Sequence, residues 1–135
     1  MNTQLSPKAA AAAGARTRVL VVDDSPSFRR MVRYVLNQGG YEVTEAGDAN
    51  EAMAAVQRSS FDLVLTDQNL PGTDGLHLIR NLRGTAQCAQ VPILMLTTES
   101  SGEMKAAGRA AGATGWMVKP FDPVHLLDLV HQVVR

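Results

Sequence analysis

The sequence has few of the features that mark secreted, membrane or nucleic-acid-binding proteins. Its single cysteine, Cys88, cannot form an internal disulfide, so we interpret it as a free, incidental thiol in a reducing compartment. No apolar run approaches the ~18 residues of a membrane span, and Arg16 and Arg18 follow the alanine run 9–13, the wrong order for a secretory signal. Thirteen basic residues balance thirteen acidic ones. We therefore expect a soluble, cytoplasmic protein that binds neither nucleic acid nor membrane.

The rest of the chain has the pattern of one α/β domain. Its 135 residues suit a single domain, and we expect residues 1–17 to form a flexible tail and residues 18–135 to form the domain. Five apolar or alternating runs, typical of strands, alternate with five segments of helical periodicity. The predicted strands are 18–22, 41–46, 61–65, 91–96 and 115–118, and the predicted helices begin near Ser25, Asp48, Asp74, Ser101 and Pro123.

The strands are expected to form a doubly wound parallel sheet with helices on both faces. The runs 19–22 and 93–96 are wholly apolar, as in central strands that helices cover on each side. Right-handed crossovers leave few strand orders, and the order 2-1-3-4-5 places the ends of strands one, three, four and five side by side.

The helical periodicity also predicts which side chains face the sheet. The first helix would bury Phe28, Met31, Val32, Val35 and Leu36, the second Ala52, Met53 and Val56, the third Leu76, Ile79 and Leu82, and the last Val124, Leu127, Val130 and Val134. The fourth, 101–111, is the weakest because Gly108 within it costs about 1 kcal/mol relative to alanine. We expect it to be the most mobile helix.

Polar residues end four of the five predicted strands. They are Asp23 and Asp24, Asp67, Thr97 and Lys119. In this topology the carboxyl ends of the strands line the crevice in which α/β proteins bind ligands. The sequence thus predicts a site that contains three carboxylates, a hydroxyl and an amine.

The chemistry of such a cluster favours a magnesium-dependent phosphoryl acceptor. Three carboxylates repel one another unless a cation lies among them, and oxygen ligands favour Mg²⁺. The charges of three Asp residues, Lys119 and Mg²⁺ sum to zero. The metal and Lys119 can then neutralise an incoming phosphoryl group, so that one carboxylate is free to act as the nucleophile. Asp67 is the candidate because it ends the central strand, opposite the pair Asp23 and Asp24. Taken singly, each residue could instead be a helix cap, a turn residue or a solvated charge, but their joint position at four adjacent strand ends argues against that reading.

Five short motifs resemble the receiver domain of bacterial two-component response regulators, over essentially all of residues 18–135. They are Val22-Asp23-Asp24-Ser25, Leu65-Thr66-Asp67-Gln68-Asn69-Leu70-Pro71, Asp74-Gly75, Leu96-Thr97-Thr98 and Val118-Lys119-Pro120-Phe121. The resemblance implies a flavodoxin-like fold, a cis Lys119-Pro120 bond, and a signalling domain rather than a conventional enzyme, with intrinsic autophosphorylation and autodephosphorylation chemistry.

The same resemblance implies a role for each matching residue. Asp67 would accept a phosphoryl group from a histidine kinase. Mg²⁺ would be bound by Asp24, Asp67 and the backbone carbonyl of Asn69, with Asp23 acting through water. Thr97 would contact a phosphoryl oxygen and Lys119 would pair with the phosphate.

Within the family the sequence is most similar to single-domain chemotaxis regulators. Asn69 and Glu99 occupy the positions that these proteins use to tune dephosphorylation, and Trp116 stands at the aromatic switch position, where tyrosine is common. Thr98 and Thr73 replace a common alanine and methionine. We expect a monomer that, on phosphorylation, draws in Thr97 and turns Trp116 inward.

Several outputs remain open from the sequence. Because no residue follows Arg135, the output is expected to be a protein contact, and a flagellar motor switch protein is the favoured partner. A phosphate sink, or a relay that donates to a histidine phosphotransfer domain, is the alternative, and a phosphatase is a further expected partner. A magnesium-dependent aspartyl-phosphate phosphatase is disfavoured because Asn69 occupies the position of its general acid. A nucleotide-binding module is also disfavoured, because no glycine-rich loop follows the first strand.

Overall fold

The computed structural model describes residues 16–98 and 101–134. The predicted tail, apart from its last two residues, and Glu99 lie outside the described residues. The long strands are β1 (Arg18–Val22), β2 (Glu42–Ala46), β3 (Leu63–Asp67), β4 (Ile93–Thr97) and β5 (Gly115–Val118). The helices are α1 (Pro26–Gln38), α2 (Ala49–Arg58), α3 (Gly75–Arg83), α4 (Gly102–Ala111) and α5 (Pro123–Val134).

The five long strands form one parallel sheet in the predicted order 2-1-3-4-5. In register, Val22 pairs with Thr66, Asp67 with Leu96 and Thr97 with Val118. The strand ends that carry the polar residues therefore lie next to one another. The predicted fold class, a flavodoxin-like doubly wound α/β sheet, is confirmed.

The sheet separates two apolar clusters. On one face α1 and α5 cover side chains such as Val21, Leu65 and Leu96. On the other face α2, α3 and α4 cover alternate residues of the same strands, such as Leu20 and Val64. This arrangement explains why the central strands are apolar on both faces.

Four helices begin directly after residues near which the sequence predicted a helix start. The side chains of Ser25, Asp48, Asp74 and Ser101 each accept a hydrogen bond from the backbone N–H three residues later, at Phe28, Glu51, His77 and Met104. These bonds satisfy donors that have no partner inside the first turn of a helix.

Some predicted inward faces were wrong. Met31 of α1 is 40% exposed and Val124 of α5 is 67% exposed, whereas Leu126 and, in α3, Leu78 are fully buried. Apolar residues occupy more than one side of α5, so its periodicity does not identify a single face.

Gly108 of α4 is buried, and a Cβ there would lie 3.0 Å from Met95 Cε, so this glycine is explained by close packing against β4.

Two short segments connect β3 to α3. Asn69–Leu70 and Thr73–Asp74 pair as an antiparallel hairpin, whose turn contains Gly72 at a φ of 75°. Gly75 N donates to Gln68 O over 2.6 Å. The hairpin therefore holds the start of α3 against the end of β3. No helix within the described ranges is long and apolar enough to cross a membrane.

Candidate functional site

The carboxyl edge of the sheet brings together Asp23, Asp24, Asp67, Thr97 and Lys119. Asp23 and Asp24 directly follow β1, Asp67 and Thr97 end β3 and β4, and Lys119 directly follows β5. Lys119 Nζ lies 2.8 Å from Asp23 Oδ2 and 3.3 Å from Asp67 Oδ1. The three acids and the lysine that the sequence predicted to converge thus form one cluster.

Asp23 is buried and both of its carboxylate oxygens have partners. Oδ1 accepts a hydrogen bond from Ser25 N at 2.9 Å, and Oδ2 accepts one from Lys119 Nζ. The carboxylate is thereby fixed between the first turn of α1 and the end of β5. Asp24, its neighbour in sequence, is exposed.

Asp67 has one carboxylate oxygen engaged and one open. Oδ1 accepts a hydrogen bond from Gln68 N at 2.9 Å and lies near Lys119 Nζ, whereas no hydrogen bond or ion pair from the described residues falls on Oδ2. The side chain is only 13% exposed. Burial raises the pKa of Asp67, with Lys119 opposing that rise and Asp23 adding to it. The geometry leaves Oδ2 as the atom able to act as a nucleophile or metal ligand.

Lys119 is held from two directions. Besides its two carboxylate partners, its Nζ lies 4.1 Å from the centroid of the Phe28 ring on α1, a distance at which a cation is attracted to an aromatic face. Phe28 in turn packs edge to face against Phe121, with ring centroids 5.9 Å apart. The Lys119-Pro120 bond is cis, as the resemblance implied.

Thr97 is buried at the end of β4, and its hydroxyl donates a hydrogen bond to Oε1 of Gln68. Gln68 follows Asp67 directly, so the residue beside the candidate nucleophile holds the candidate switch hydroxyl. The position of Gln68 in the sequence does not by itself indicate this contact, because Thr97 is 29 positions away.

Trp116 lies on the opposite side of β5 from Lys119, as strand alternation predicted. Its ring is partly buried against the cluster covered by α2, α3 and α4. Lys105 Nζ and Arg109 Cζ of α4 lie 5.3 and 5.4 Å from ring centroids of the indole. The indole is thus in contact with the cations of α4.

The acidic cluster has the composition of a magnesium site. One carboxylate oxygen from each of Asp23, Asp24 and Asp67 can be chosen so that all lie within 4.8 Å of one another, and the donors are hard oxygen ligands. Asn69 is exposed on the short hairpin two residues beyond Asp67. The residues present therefore fit the ion. Glu99, predicted to tune dephosphorylation, lies outside the described residues.

Cys88 is buried in the apolar cluster on the α3 side, although it belongs to the connection between α3 and β4. Arg83 donates hydrogen bonds to two carbonyls of this connection, those of Cys88 at 2.8 Å and Val91 at 2.6 Å, and to the carbonyl of Gly112, after α4, at 2.8 Å. Burial raises the pKa of the thiol, which disfavours the reactive thiolate. This environment is consistent with a packing role.

The chain is similar to known proteins over most of its length. Residues 19–131 match the family model described as the response regulator receiver domain. The chain belongs to this family. It is also 34% identical over 117 residues, which cover 86% of this chain and 90% of the relative, to the chemotaxis protein CheY-3 of Vibrio cholerae serotype O1.

Two further proteins are similar to this chain over most of its length. A solved structure of the chemotaxis response regulator CheY4 of Vibrio cholerae is 47% identical, with a TM-score of 0.84 over 87% of this chain and 98% of that chain. The gliding motility regulatory protein of Myxococcus xanthus is 41% identical over 113 residues, which cover 84% of this chain but 14% of that protein. This chain thus matches nearly all of the first protein's solved chain but a small part of the second protein.

Proposed function

We propose that this receiver accepts a phosphoryl group on Asp67 from a phosphohistidine of a histidine kinase, in the cytoplasm and with Mg²⁺ bound. The observation that carries the proposal is the open Oδ2 of Asp67, since Oδ1 is fixed by Gln68 N and Lys119. Asp23 and Asp24, and the backbone carbonyl of Asn69, would complete the magnesium site. When bound, the ion would neutralise negative charge on the carboxylates and on the incoming phosphoryl group.

The transfer is a substitution at phosphorus. Oδ2 of Asp67 attacks the phosphorus atom, the bond from phosphorus to the histidine nitrogen breaks, and its electron pair remains on that nitrogen. Lys119 stands beside the acceptor and offers its ammonium to a phosphoryl oxygen. This chemistry needs positioning and charge neutralisation more than proton transfer.

The phosphoryl group is then proposed to change the output surface. Thr97 would donate its hydroxyl to a phosphoryl oxygen, and movement at the end of β4 would let Trp116 turn inward and rearrange α4, β5 and α5. Because the relatives include chemotaxis proteins, we propose a flagellar motor switch protein as the partner of a monomeric regulator. Asn69 and Glu99 would set the lifetime of the phosphorylated form, together with any phosphatase partner.

Labelling by acetyl phosphate tests the acceptor. Wild type should incorporate phosphate in the presence of Mg²⁺, and excess EDTA should prevent it. Asp67→Asn should fold and incorporate none, because an amide is a poor nucleophile. Asp128→Asn, at an exposed position of α5, is the matched control and should label normally. Labelling of Asp67→Asn at the wild-type level would exclude Asp67 as the acceptor.

The second candidate output, a phosphate sink or relay, is favoured only by the same acceptor chemistry. A competition assay separates the two, by measuring binding to a motor switch peptide against phosphoryl transfer to a histidine phosphotransfer domain. Binding that increases with phosphorylation supports the motor partner, whereas rapid transfer without such binding supports the relay. The third candidate, an aspartyl-phosphate phosphatase, requires turnover of small phosphomonoesters.

A further inference from the structure

Gln68 and Thr97 lie side by side at the ends of two adjacent strands. Asp67 pairs with Leu96 in the register of β3 and β4, and Gln68 N continues this pairing by donating to Leu96 O at 3.0 Å. The side chain of Gln68 then accepts the hydrogen bond from the Thr97 hydroxyl. The contact joins residues that are 29 positions apart in sequence.

The backbone of Gln68 is fixed on both sides. Its N–H lies within hydrogen-bonding distance of Leu96 O and of Asp67 Oδ1, and its carbonyl accepts from Gly75 N at 2.6 Å. A side chain that starts from a fixed backbone loses less conformational freedom when it makes a hydrogen bond. The amide of Gln68 is therefore well placed to hold the Thr97 hydroxyl.

We propose that Gln68 is a positioning residue that holds Thr97 in the resting state and thereby opposes activation. The inference rests on the proposed function, in which the Thr97 hydroxyl donates to a phosphoryl oxygen. A hydroxyl has one proton to donate. It cannot donate to Oε1 of Gln68 and to a phosphoryl oxygen at the same time, so the two acceptors compete for it.

The competition has a thermodynamic consequence. A ligand shifts a two-state equilibrium only by the difference in its affinity for the two states, and the resting state alone contains the bond from Thr97 to Gln68. Removing the hydrogen-bond acceptor, Oε1 of Gln68, raises the free energy of the resting state relative to the activated state. A phosphoryl mimic should then bind more tightly, although Gln68 need not touch it.

Beryllofluoride affinity in saturating Mg²⁺, measured by fluorine NMR, tests this inference. Gln68→Met has a side chain of similar length but no amide oxygen, and should bind beryllofluoride about fivefold more tightly, as expected for the loss of one ordinary hydrogen bond from the resting state. Gln68→Leu should change the affinity in the same direction. Gln57→Met, on the exposed face of α2, is the matched control and should leave the affinity unchanged.

A double-mutant cycle separates positioning from a general structural effect. In a Thr97→Ala background the Gln68→Met substitution should have no effect, because the hydroxyl is already absent. An equal effect in both backgrounds, an unchanged affinity, or a weaker affinity in Gln68→Met would each overturn the inference. A weaker affinity would indicate that the amide supports the phosphoryl site instead of competing with it.

The experiment distinguishes this inference from the proposed function. Suppose that wild type binds beryllofluoride, Asp67→Asn does not, and Gln68→Met has the wild-type affinity. The assignment of Asp67 as phosphoryl acceptor is then supported, and only the role proposed for Gln68 is wrong. If wild type fails to bind, or Asp67→Asn binds as well as wild type, the proposed function and the inference fail together.

Discussion

Replacing Gly75 by alanine should disrupt the site through the backbone. Gly75 is the first residue of α3, and a Cβ built on it would lie 2.3 Å from the backbone oxygen of Asp67 and 3.1 Å from Gln68 Cα. Neither atom belongs to a flexible side chain. The start of α3 or the end of β3 would have to move, and the end of β3 carries Asp67, the proposed phosphoryl acceptor.

The loss in free energy of unfolding should be large for the addition of one methyl group. Overpacking typically costs about 1–3 kcal/mol, and we expect a value near or above the upper limit because the colliding atoms are backbone. A loss of ~3 kcal/mol corresponds to a fall of roughly 10 °C in Tm for a domain of this size. The hydrogen bond from Gly75 N to Gln68 O, 2.6 Å long, would be distorted by the same movement.

Urea denaturation of Gly75→Ala and Gly102→Ala provides the measurement and its control. Gly102 is also the first residue of a helix, and a Cβ there would meet no atom within 4 Å. We expect its free energy of unfolding to stay within about 1 kcal/mol of wild type. Gly75→Ala should also label slowly with acetyl phosphate at temperatures where it is fully folded. A Gly75→Ala protein within ~0.5 kcal/mol of wild type would refute the close approach of α3 to β3.

Three further predictions concern charge and signalling. In EDTA, Asp67→Asn should raise the free energy of unfolding at neutral pH, because burial raises the pKa of this carboxyl and so makes its charged form unfavourable in the folded state. This increase in the free energy of unfolding should be fully present above the folded-state pKa of Asp67. It should disappear as the pH falls through that pKa toward the unfolded-state pKa. Lys119→Arg should still label but should show a smaller change in partner affinity on beryllofluoride binding, because a planar guanidinium cannot reproduce the contacts of a compact ammonium. The emission of Trp116, the only tryptophan, should change when Mg²⁺ and beryllofluoride are added, much less with Mg²⁺ alone, and Thr97→Ala should reduce the response.

Each of these predictions has an outcome that contradicts it. Equal stability of wild type and Asp67→Asn across the pH range would show that the carboxylate is not unfavourably buried. An unchanged ratio of partner affinities in Lys119→Arg would remove Lys119 from the coupling. A constant Trp116 emission, with beryllofluoride binding confirmed by fluorine NMR, would show that the indole stays against α4 on activation.

The strand ends could be predicted because they depend on local sequence. Apolar runs identify β1, β3, β4 and β5, and crossover handedness then brings Asp23, Asp67 and Lys119 to one edge. The caps at Asp48 and Asp74 are equally local, since each bond spans three residues. These parts of the fold and of the candidate site follow from pattern alone.

Contacts between distant segments could not be predicted in the same way. The bond from Thr97 to Gln68 and the packing of Lys119 on Phe28 depend on side-chain conformations at the meeting of different elements. Likewise, Val124 and Leu126 have similar hydrophobicity, and only the packed structure shows which of them faces the core.

The sheet also separates the aromatic contact of Lys119 from the contacts of Trp116. Lys119 contacts Phe28 of α1 on one face, whereas Trp116 contacts Lys105 and Arg109 of α4 on the other. Substitutions at exposed positions of α4 would leave the side chains around Asp67 unchanged. On the proposed function, the α4 surface would therefore be the place to re-engineer partner specificity while the residues around Asp67 are kept.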